Sequence, residues 1–598
     1  MKFTRWGDRM LKRTHTCGEL RISDVGKTVI LNGWVDRIRD LGGILFILLR
    51  DRYGITQIVF EPSNIEVYEM AKELGPEYVI GIRGKVRKRP DEAMNPKIPT
   101  GEIEVIVDEM EIFSKSKIPP IYVNREDDTS EEMRMRYRYL DLRREGMKKN
   151  LLLRHEMAVF VRNFFNERDF VEIETPILTK STPEGARDFL VPSRLKPGRF
   201  YALPQSPQLF KQILMISGFD RYYQLARCFR DEDFRADRQP EFTQVDVEMS
   251  FVEREDVLDL AEDLFVELIR KFKGIELEKP FRRFTYVDVM ERYGSDKPIT
   301  VFEHELKDLS DLFKETDFKV FRNVLEKGGV VKGLFVEKKH TRGEIGKLED
   351  ELKRKGAKGL VWFILDGGEV RSPVMKFLSE SEVRSLLERM ETKDRDGTIF
   401  MVADEERMHV NELLGMLRSK FEKEFAEKED FLDVFWVIDF PMFEWSEEEG
   451  RIVANHHPFT MPNSEDLERY EDDPLKIRAL SYDLVVNGYE ILSGSIRIHD
   501  RKIQEKVFNI LGIDEKEAKE RFGFFLEALE YGVPPHGGFA IGFDRLVAVI
   551  AGEKSIREVI AFPKTTSGVD LMTGAPSEVR KEQLEELGID VKIDSDDL

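Results

Sequence analysis

An α+β architecture of several domains is what this sequence predicts, on three observations. Its 598 residues exceed what one hydrophobic core holds, and length alone suggests roughly three to five domains. Residues 14–113 carry β-rich runs in close series, whereas the chain beyond them mixes long amphipathic helices with strand-like segments. Near residue 290 the pattern changes again, to short helices and strands in alternation that persist to about residue 425.

The β-rich runs are 28–35, 44–50, 55–60, 78–86 and 103–113. Between the third and fourth lies 65–74, apolar at helical spacing and closed by Gly75 as a C-terminal cap. Five strands with a helix after the third is the order of an OB-fold, a barrel that often binds oligonucleotides on the face of its second and third strands. On that face stand Arg39, Phe46 and Gln57: a cation, a stackable ring and an amide able to pair with a base edge. Phe46 lies inside an apolar strand, which on pattern alone reads more readily as core, and small barrels also serve as inert spacers.

Residues 114–145 read as a linker, with Pro119-Pro120 and then a charge-dense stretch. The formal charge, 94 − 115 = −21, argues against a general nucleic-acid binder, so RNA contact needs a local basic patch. Arg134, Arg136, Arg138, Arg143, Arg144, Lys148 and Lys149 form such a patch, opposed within it by Asp141 and Glu145, and a solvated linker is the other reading. A long amphipathic helix follows through Leu152, Met157, Val159, Phe160, Phe164 and Phe165, then the strand-like Phe170-Val-Glu-Ile-Glu-Thr-Pro176, stopped by proline. A second helical run occupies 257–272, a last one closes at Ala551, and the tail ending Asp594-Ser-Asp-Asp-Leu598 is expected to fray.

Composition bounds the function. Hydrophobic residues at 41% beside charged residues at 35% describe a globular protein with an ionised surface. Two cysteines, Cys17 and Cys228, supply neither a disulfide framework nor a cysteine metal site. Residues 1–16 lack an apolar central run, and no stretch of about 18 apolar residues occurs. The expectation is a cytoplasmic protein, neither exported nor membrane-bound.

Two distant stretches carry the chemistry. Arg227-Cys-Phe-Arg-Asp-Glu-Asp233, followed by Arg238-Gln-Pro-Glu-Phe-Thr-Gln-Val-Asp246, sets cations and carboxylates around an exposed turn. Gly537-Gly-Phe-Ala-Ile-Gly-Phe-Asp-Arg545 sets glycines against an arginine, as a site gripping a nucleotide by both ends needs. Each fragment alone reads as a solvated charge run or a helix start. Together and in this order they resemble motifs 2 and 3 of the class II aminoacyl-tRNA synthetases. The resemblance continues through Glu174-Thr-Pro176, Thr182-Pro-Glu-Gly-Ala-Arg-Asp188 and Gln205-Ser-Pro-Gln208, covers nearly the whole chain, and is closest to the bacterial-type aspartyl subfamily.

That resemblance implies an OB-fold anticodon-binding domain over 1–113, a linker over 114–145, and a class II antiparallel-sheet catalytic domain in two parts, 146–289 and 426–558. An α/β insertion domain occupies 290–425 and a C-terminal extension 559–598. The helix and strand ending at Pro176 are similar to motif 1, which implies a homodimer. The implied reaction activates L-aspartate with ATP, giving aspartyl-adenylate and pyrophosphate, and then transfers aspartate to the 3′ end of its tRNA. It needs no covalent nucleophile or general base, because positioning and electrostatics supply most of the acceleration.

Residue roles carry over position by position. Arg230 is implied to meet the α-phosphate and the substrate carboxylate, its guanidinium offering a planar fork to either. Glu232, on the same strand face, accepts from the adenine amino group; Phe242 stacks on one side of the ring and Arg545 covers the other. Asp231, Gln239, Phe543 and Asp544 belong to the same ATP set, Gly542 gives the backbone room to approach, and Arg235 and Arg238 reach the outer phosphates. Asp483 and Glu490, on the strand-like Tyr482-Asp-Leu-Val-Val-Asn-Gly-Tyr-Glu490, would repel polyphosphate without a hard cation, so they imply magnesium; paired surface acids are the alternative.

Arg497 and Lys211 stand where the family reads the aspartate side chain, and cations in a dry pocket reject asparagine because its amide leaves them unpaired. Gln208 and Asp246 match positions holding the α-amino group, Glu184 lies on a loop closing over the substrate, and His456, rather than the adjacent His457, contacts aspartate. Arg39, Phe46, Gln57, Arg87, Arg89 and Glu104 are implied at the anticodon. Two other readings are a catalytically silent RNA-binding paralogue and a relative activating asparagine or lysine. The presence of Arg230, Glu232, Arg545 and the acidic pair opposes the first, while Arg497, 182–188 and the insertion oppose the second. Discrimination between aspartate and asparagine tRNAs, which the sequence leaves open, lies near Leu41 and Lys88.

Overall fold

The structure, a computed structural model, describes residues 10–592 apart from 183–186, 233, 235, 430 and 448. The chain forms two compact units, one of residues up to 152 with 561–577, the other of 153–560 with the residues from 578 onward.

In the first unit, strands Thr28–Leu41, Ile44–Arg50, Ile55–Phe60, Val79–Lys88 and Ile103–Ser114 close a barrel in the order first, second, third, fifth, fourth. Period-two alternation produces it: Val29, Leu31, Ile47, Leu49, Ile80, Ile82 and Val105 fill the interior, each worth roughly 1.5–3 kcal/mol of burial. The helix after the third strand is Ile65–Lys72, and its cap differs from the expectation. The chain leaves it through Glu73 in right-handed geometry, and Gly75 is not left-handed. Gly75 instead serves close packing, since a Cβ there would lie 2.9 Å from the Tyr78 ring.

The segment read as a linker contains helices Glu131–Arg136 and Arg138–Asp141 over a small core of Ile121, Val123 and Leu140. Most of the basic patch is internal wiring. Arg134 Nε and Arg138 Nη1 donate to the buried Asp141 at 2.8 and 2.6 Å, and Arg144 Nη2 donates to Asp127 Oδ1 at 2.8 Å. Arg143 Nη1 donates to Glu77 Oε2 at 2.8 Å with its guanidinium over the Trp34 ring. Arg136 and Lys149 stay exposed. Of these residues Arg134, Arg138, Arg143 and Arg144 thus form an internal charge network, held because an unpaired buried carboxylate would be expensive.

The second unit is built on an eight-stranded sheet in the order Arg282–Thr285, Val434–Ile438, Ser481–Val486, Tyr489–Ile496, His536–Gly542, Glu241–Ser250, Arg221–Phe229 and Val171–Glu172. It is antiparallel except at its two outermost pairs. The expected strand at 170–176 pairs over two residues only, Val171–Glu172. One sheet face carries Val245, Val247, Leu484, Leu492 and Ile541, packed with Phe164 and Phe165, with Phe265 of helix Arg254–Lys273 and with Val547 of helix Phe543–Ala551. Between Thr285 and Val434 lies a separate antiparallel five-stranded sheet, ordered Lys307–Asp308, Val330–Val336, Gly397–Asp404, Val361–Asp366 and Glu369–Arg371. Apolar clusters around Leu334 and Phe400, and around Val331 and Met401, put a core on each of its faces. Among the described residues no helix is long and apolar enough to cross a membrane.

Candidate active site

The eight-stranded sheet positions the site by alternation. Where Val245, Val247 and Met249 face the helices, Gln244, Asp246 and Glu248 face the other way; Ser493 and Ser495 do the same opposite Leu492. Gln244, Asp246, Ser493 and Ser495, with Gln205, Gln208, Lys211, Arg230, Phe242, His456, His457, Glu490, Arg497, Gly542 and Arg545, border a cleft of about 470 Å³.

At one end a buried charge network is assembled. Arg497 donates from Nε to Glu248 Oε1 at 2.9 Å, from Nη2 to Glu248 Oε2 at 3.2 Å, and from Nη1 to Ser495 Oγ at 2.6 Å. Lys211 Nζ donates to Asp246 Oδ1 at 2.7 Å and stands 3.4 Å from Glu248 Oε2. All four charged groups are at most 2% exposed. Register makes the closeness possible: Glu248 and Ser495 both pair with Gly538, where a Cβ would sit 2.4 Å from Glu248 Oε2 and 2.1 Å from Val247 O. The bare glycine lets Arg497 Nη2 donate to Gly538 O at 3.2 Å.

Two polar atoms in this network lack partners. Asp246 Oδ2 and Gln208 Nε2 are buried without a hydrogen bond. Burial raises the Asp246 carboxyl above the usual range against the opposing pull of Lys211. A buried carboxylate oxygen with no donor has a place for one, and an ammonium supplies it.

The histidine pair divides otherwise than expected. His457 Nε2 lies 2.9 Å from Arg497 Nη1, and burial together with the Arg497 charge holds its pKa well below the ordinary imidazole value. His456 turns its Nε2 toward Asp483 Oδ1 at 3.6 Å and packs edge-on to Phe440. Burial opposes the charged form of His456, but Asp483 and Glu490 outweigh it and raise its pKa. The structure therefore sets His457, not His456, against the arginine assigned to the aspartate side chain.

The other end of the cleft holds Arg230, whose guanidinium carbon stands 5.1 Å from the centre of the Phe242 ring. Its strand ends at Phe229, so Arg230, Asp231 and Glu232 occupy the following turn and not one strand face; Glu232 Oε2 accepts from Arg238 Nη1 at 2.8 Å. Asp231 is exposed, with its backbone N–H donating to Arg187 O. Arg545 Nη1 donates to Glu490 O at 2.6 Å, Nη2 stands 3.4 Å from Asp237 Oδ2, and Nε is buried with no partner. Gln239 is buried at the edge of the cleft.

Two residues assigned to ATP have their side chains engaged within the protein. Phe543 is 1% exposed inside the helix-covered core, under the guanidinium of Arg154. Asp544 accepts from Arg154 Nη1 at 2.5 Å and from Thr243 N at 2.7 Å, which spends its carboxylate on joining helix Phe543–Ala551 to strand Glu241–Ser250. Glu184 and Arg235 lie outside the described residues.

Gly542 has φ −66°, and a Cβ added there meets only Arg545 Cβ at 3.8 Å and Ile491 O at 4.0 Å. The protein's own packing does not require glycine at this position, which borders the cleft. Gly542→Ala is expected to leave thermal stability within about 0.5 kcal/mol, as for a substitution without strain, while raising the KM for ATP. A melting curve and an ATP titration of exchange activity check both halves.

The acidic pair sits on a hairpin rather than on one strand-like run. Asp483 lies on Ser481–Val486 and Glu490 on Tyr489–Ile496, joined through left-handed Asn487 and Gly488. Asp483 Oδ1 is buried without a hydrogen bond, and burial and Asp483 together raise the Glu490 pKa. Among the described residues no group of three or more histidine, cysteine or acidic side chains could hold a metal. Two carboxylates, one oxygen of them unpartnered, suit a hard cation that takes its remaining ligands from phosphate and water.

On the barrel, the strand pairings set Arg39 opposite Phe46 in one row and, in the adjacent row, Leu48 opposite Gln57 and Glu104 opposite Arg87. Gln57 Nε2 donates to Glu104 Oε2 at 2.8 Å and Arg87 Nη2 to Glu104 Oε1 at 2.7 Å. Phe46 lies between the buried Leu45 and Ile47 and is outside the barrel core, so it faces outward. Arg89 departs from the row: it is 4% exposed and donates from Nε to Ile103 O at 2.7 Å.

Glu248, Ser495 and His457 were not singled out as site residues from sequence. A period-two reading of Asp246-Val-Glu248 finds Glu248, because it puts both acids on one face.

Residues 130–566 match the family model of class II tRNA synthetases (D, K and N), and residues 29–113 match the OB-fold nucleic acid binding domain. The chain is 57% identical over 586 residues to the aspartate–tRNA(Asp/Asn) ligase of Thermotoga maritima, a match covering 97% of this chain and 99% of the relative. It is 56% identical over 581 residues to the aspartate–tRNA ligase of Fervidobacterium nodosum, with the same coverage of 97% and 99%. In fold it is similar to the asparaginyl-tRNA synthetase of Pyrococcus horikoshii complexed with asparaginyl-adenylate, at TM-score 0.58 and 20% identity over 93% of this chain and 99% of that one.

Proposed function

The chain belongs to the class II tRNA synthetases, in the aspartate–tRNA ligase family; it activates L-aspartate with ATP and charges tRNA, and from that premise we propose how its residues divide the work. Arg497, fixed by Glu248, Ser495 and Gly538, reads the aspartate side-chain carboxylate, with Lys211 beside it and His457 kept neutral against it. Asp246 Oδ2 takes the α-ammonium. That unpartnered buried oxygen, set against the Arg497–Glu248–Lys211 network, is the observation that carries this reading.

Arg230 meets the α-phosphate and the reacting carboxylate. Phe242 and Arg545 enclose the adenine, whose amino group Glu232 accepts, and Gly542 leaves the backbone open to it. Asp483 and Glu490 would hold magnesium, whose charge neutralises the polyphosphate when bound. The aspartate carboxylate then forms its bond to the α-phosphorus as pyrophosphate departs, and the terminal ribose hydroxyl of the tRNA later takes the aspartyl group, releasing AMP. On the barrel Arg39 and Phe46, with the adjacent Gln57, Glu104 and Arg87, serve the anticodon, with Phe46 as the stacking ring. Arg89 acts there by fixing its strand end.

The domain division proposed from sequence applies to this work, with 1–113 for the anticodon and 146–289 with 426–558 for the chemistry. A second copy of the chain pairs at the sheet edge Val171–Glu172, where Val171 is 45% exposed. The enzyme is placed in the cytoplasm.

The test is amino-acid-dependent exchange of pyrophosphate into ATP, with aspartate, asparagine and lysine offered in parallel. Exchange with aspartate alone is the expected result. Exchange supported by either other amino acid overturns the pocket assignment.

A further inference from the structure

The acidic hairpin has a cationic neighbour that the division of labour above leaves out. Helix Tyr286–Tyr293 ends at left-handed Gly294, and the chain then runs past the hairpin on its way to the five-stranded sheet. That stretch is fixed at several points. Ile299 N donates to Glu422 Oε1 at 2.9 Å, and Arg418 Nη2 donates to Ile299 O at 3.0 Å. Thr300 donates to Asp433 from N at 2.5 Å and from Oγ1 at 2.8 Å.

Asp433 ties the stretch to the hairpin turn itself: its N–H donates to Asn487 Oδ1 at 2.8 Å, and Asn487 N donates back to Asp433 O at 2.9 Å. The packing is tight, for a Cβ on Gly488 would lie 2.9 Å from Ile299 Cγ1 and 3.8 Å from Lys297 O. A rigid backbone therefore holds Lys297 against the turn whose two strands carry Asp483 and Glu490.

Lys297 itself reaches solvent. Its side chain is 44% exposed, and Nζ donates to the adjacent Asp296 at 2.9–3.0 Å. Burial opposes its charge, but Asp296, Glu490 and Asp483 prevail and raise its pKa. A permanent cation on a long stem beside a carboxylate pair invites polyphosphate rather than adenine, because ammonium is a point charge suited to phosphate oxygens.

Resting on the placement of magnesium–ATP at this hairpin, we infer that Lys297 is a substrate contact: it leaves Asp296 to bind the β- and γ-phosphates and stays with the departing pyrophosphate. In the step it serves, an aspartate carboxylate oxygen bonds to the α-phosphorus while the bond from that phosphorus to the α,β-bridging oxygen breaks. The bridging oxygen keeps the electron pair, and the charge it gains on pyrophosphate is what the ammonium meets.

Lys297→Met in the full-length enzyme tests this, with Lys297→Arg beside it; a half-exposed side chain leaves folding intact, which a melting curve verifies. Loss of a hydrogen bond to a charged group predicts that the KM values for ATP and for pyrophosphate rise about tenfold or more. Inhibition by AMP, which lacks the outer phosphates, stays at the wild-type value, as does the KM for aspartate, and Lys297→Arg recovers most of the loss. Unchanged ATP and pyrophosphate values overturn the proposal, and so does an equal weakening of AMP, which marks a structural role. If AMP fails to compete with ATP in the wild-type enzyme, the nucleotide placement falls first and the lysine contact with it.

Discussion

Arg497→Leu is expected to abolish aspartate-dependent exchange while ATP binding survives. Two effects add. The substrate carboxylate loses its fixed cation, and Glu248, which is 0% exposed and bonded to that arginine through both oxygens, is left to share Lys211 with Asp246, so the pocket holds one uncompensated negative charge. Breaking a buried ion pair by removing one partner costs about 3–5 kcal/mol. At about 1.4 kcal/mol per factor of ten, a loss of that size lowers kcat/KM for aspartate by about 10²–10⁴. The same uncompensated charge should lower thermal stability.

A double variant separates the two effects. Removing Glu248 as well, by Arg497→Leu with Glu248→Leu, takes away both charges, and replacing a buried pair with apolar side chains is often neutral for stability. The double variant should therefore regain most of the lost melting temperature and none of the aspartate activity. Isothermal titration of ATP into both proteins serves as the control. Normal aspartate turnover in the single variant would sink the side-chain assignment.

What could be read from the sequence follows from how local each constraint is. The barrel strands were legible because alternation records which side of a strand faces the core, and the runs 44–50 and 55–60 coincide with the strands Ile44–Arg50 and Ile55–Phe60. The site was legible where side-chain chemistry is unusual for its place, as with Arg497 beside glycines. It was not legible where a partner comes from another strand. Glu248 is 249 positions from Arg497, and nothing local marks Asp544 as the acceptor for Arg154. Within the basic residues 134–149, Arg143 and Arg144 looked solvated because their carboxylates, Glu77 and Asp127, come from elsewhere in the first unit. Gly75 misled for the opposite reason: its cap signal is local, and the ring of Tyr78 that requires the glycine is a packing contact.

Arg230→Ala is the complementary case, a large loss of rate with little loss of stability. Arg230 is half-buried, and its backbone is fixed by N–H donation to Pro240 O at 2.9 Å. Among the described residues no carboxylate pairs with its guanidinium, whose neighbour is the Phe242 ring. Removing it leaves no buried anion behind, so melting should stay within about 0.5 kcal/mol of wild type. The charge it is assigned to meet develops as the α-phosphorus becomes five-coordinate. Loss of one preorganised donor to such charge costs about 2.7–4 kcal/mol, or about 10²–10³ in rate. The loss should appear in kcat for exchange, with KM for ATP changed far less, because an interaction made mainly in the transition state lowers kcat and kcat/KM together. Arg230→Lys should recover only part of it, since ammonium keeps the charge but not the fork that spans a phosphate and a carboxylate oxygen at once. A rise in KM with kcat intact would instead assign Arg230 to ground-state binding and move the transition-state role to Arg545, another guanidinium bordering the cleft, whose buried Nε lacks a partner.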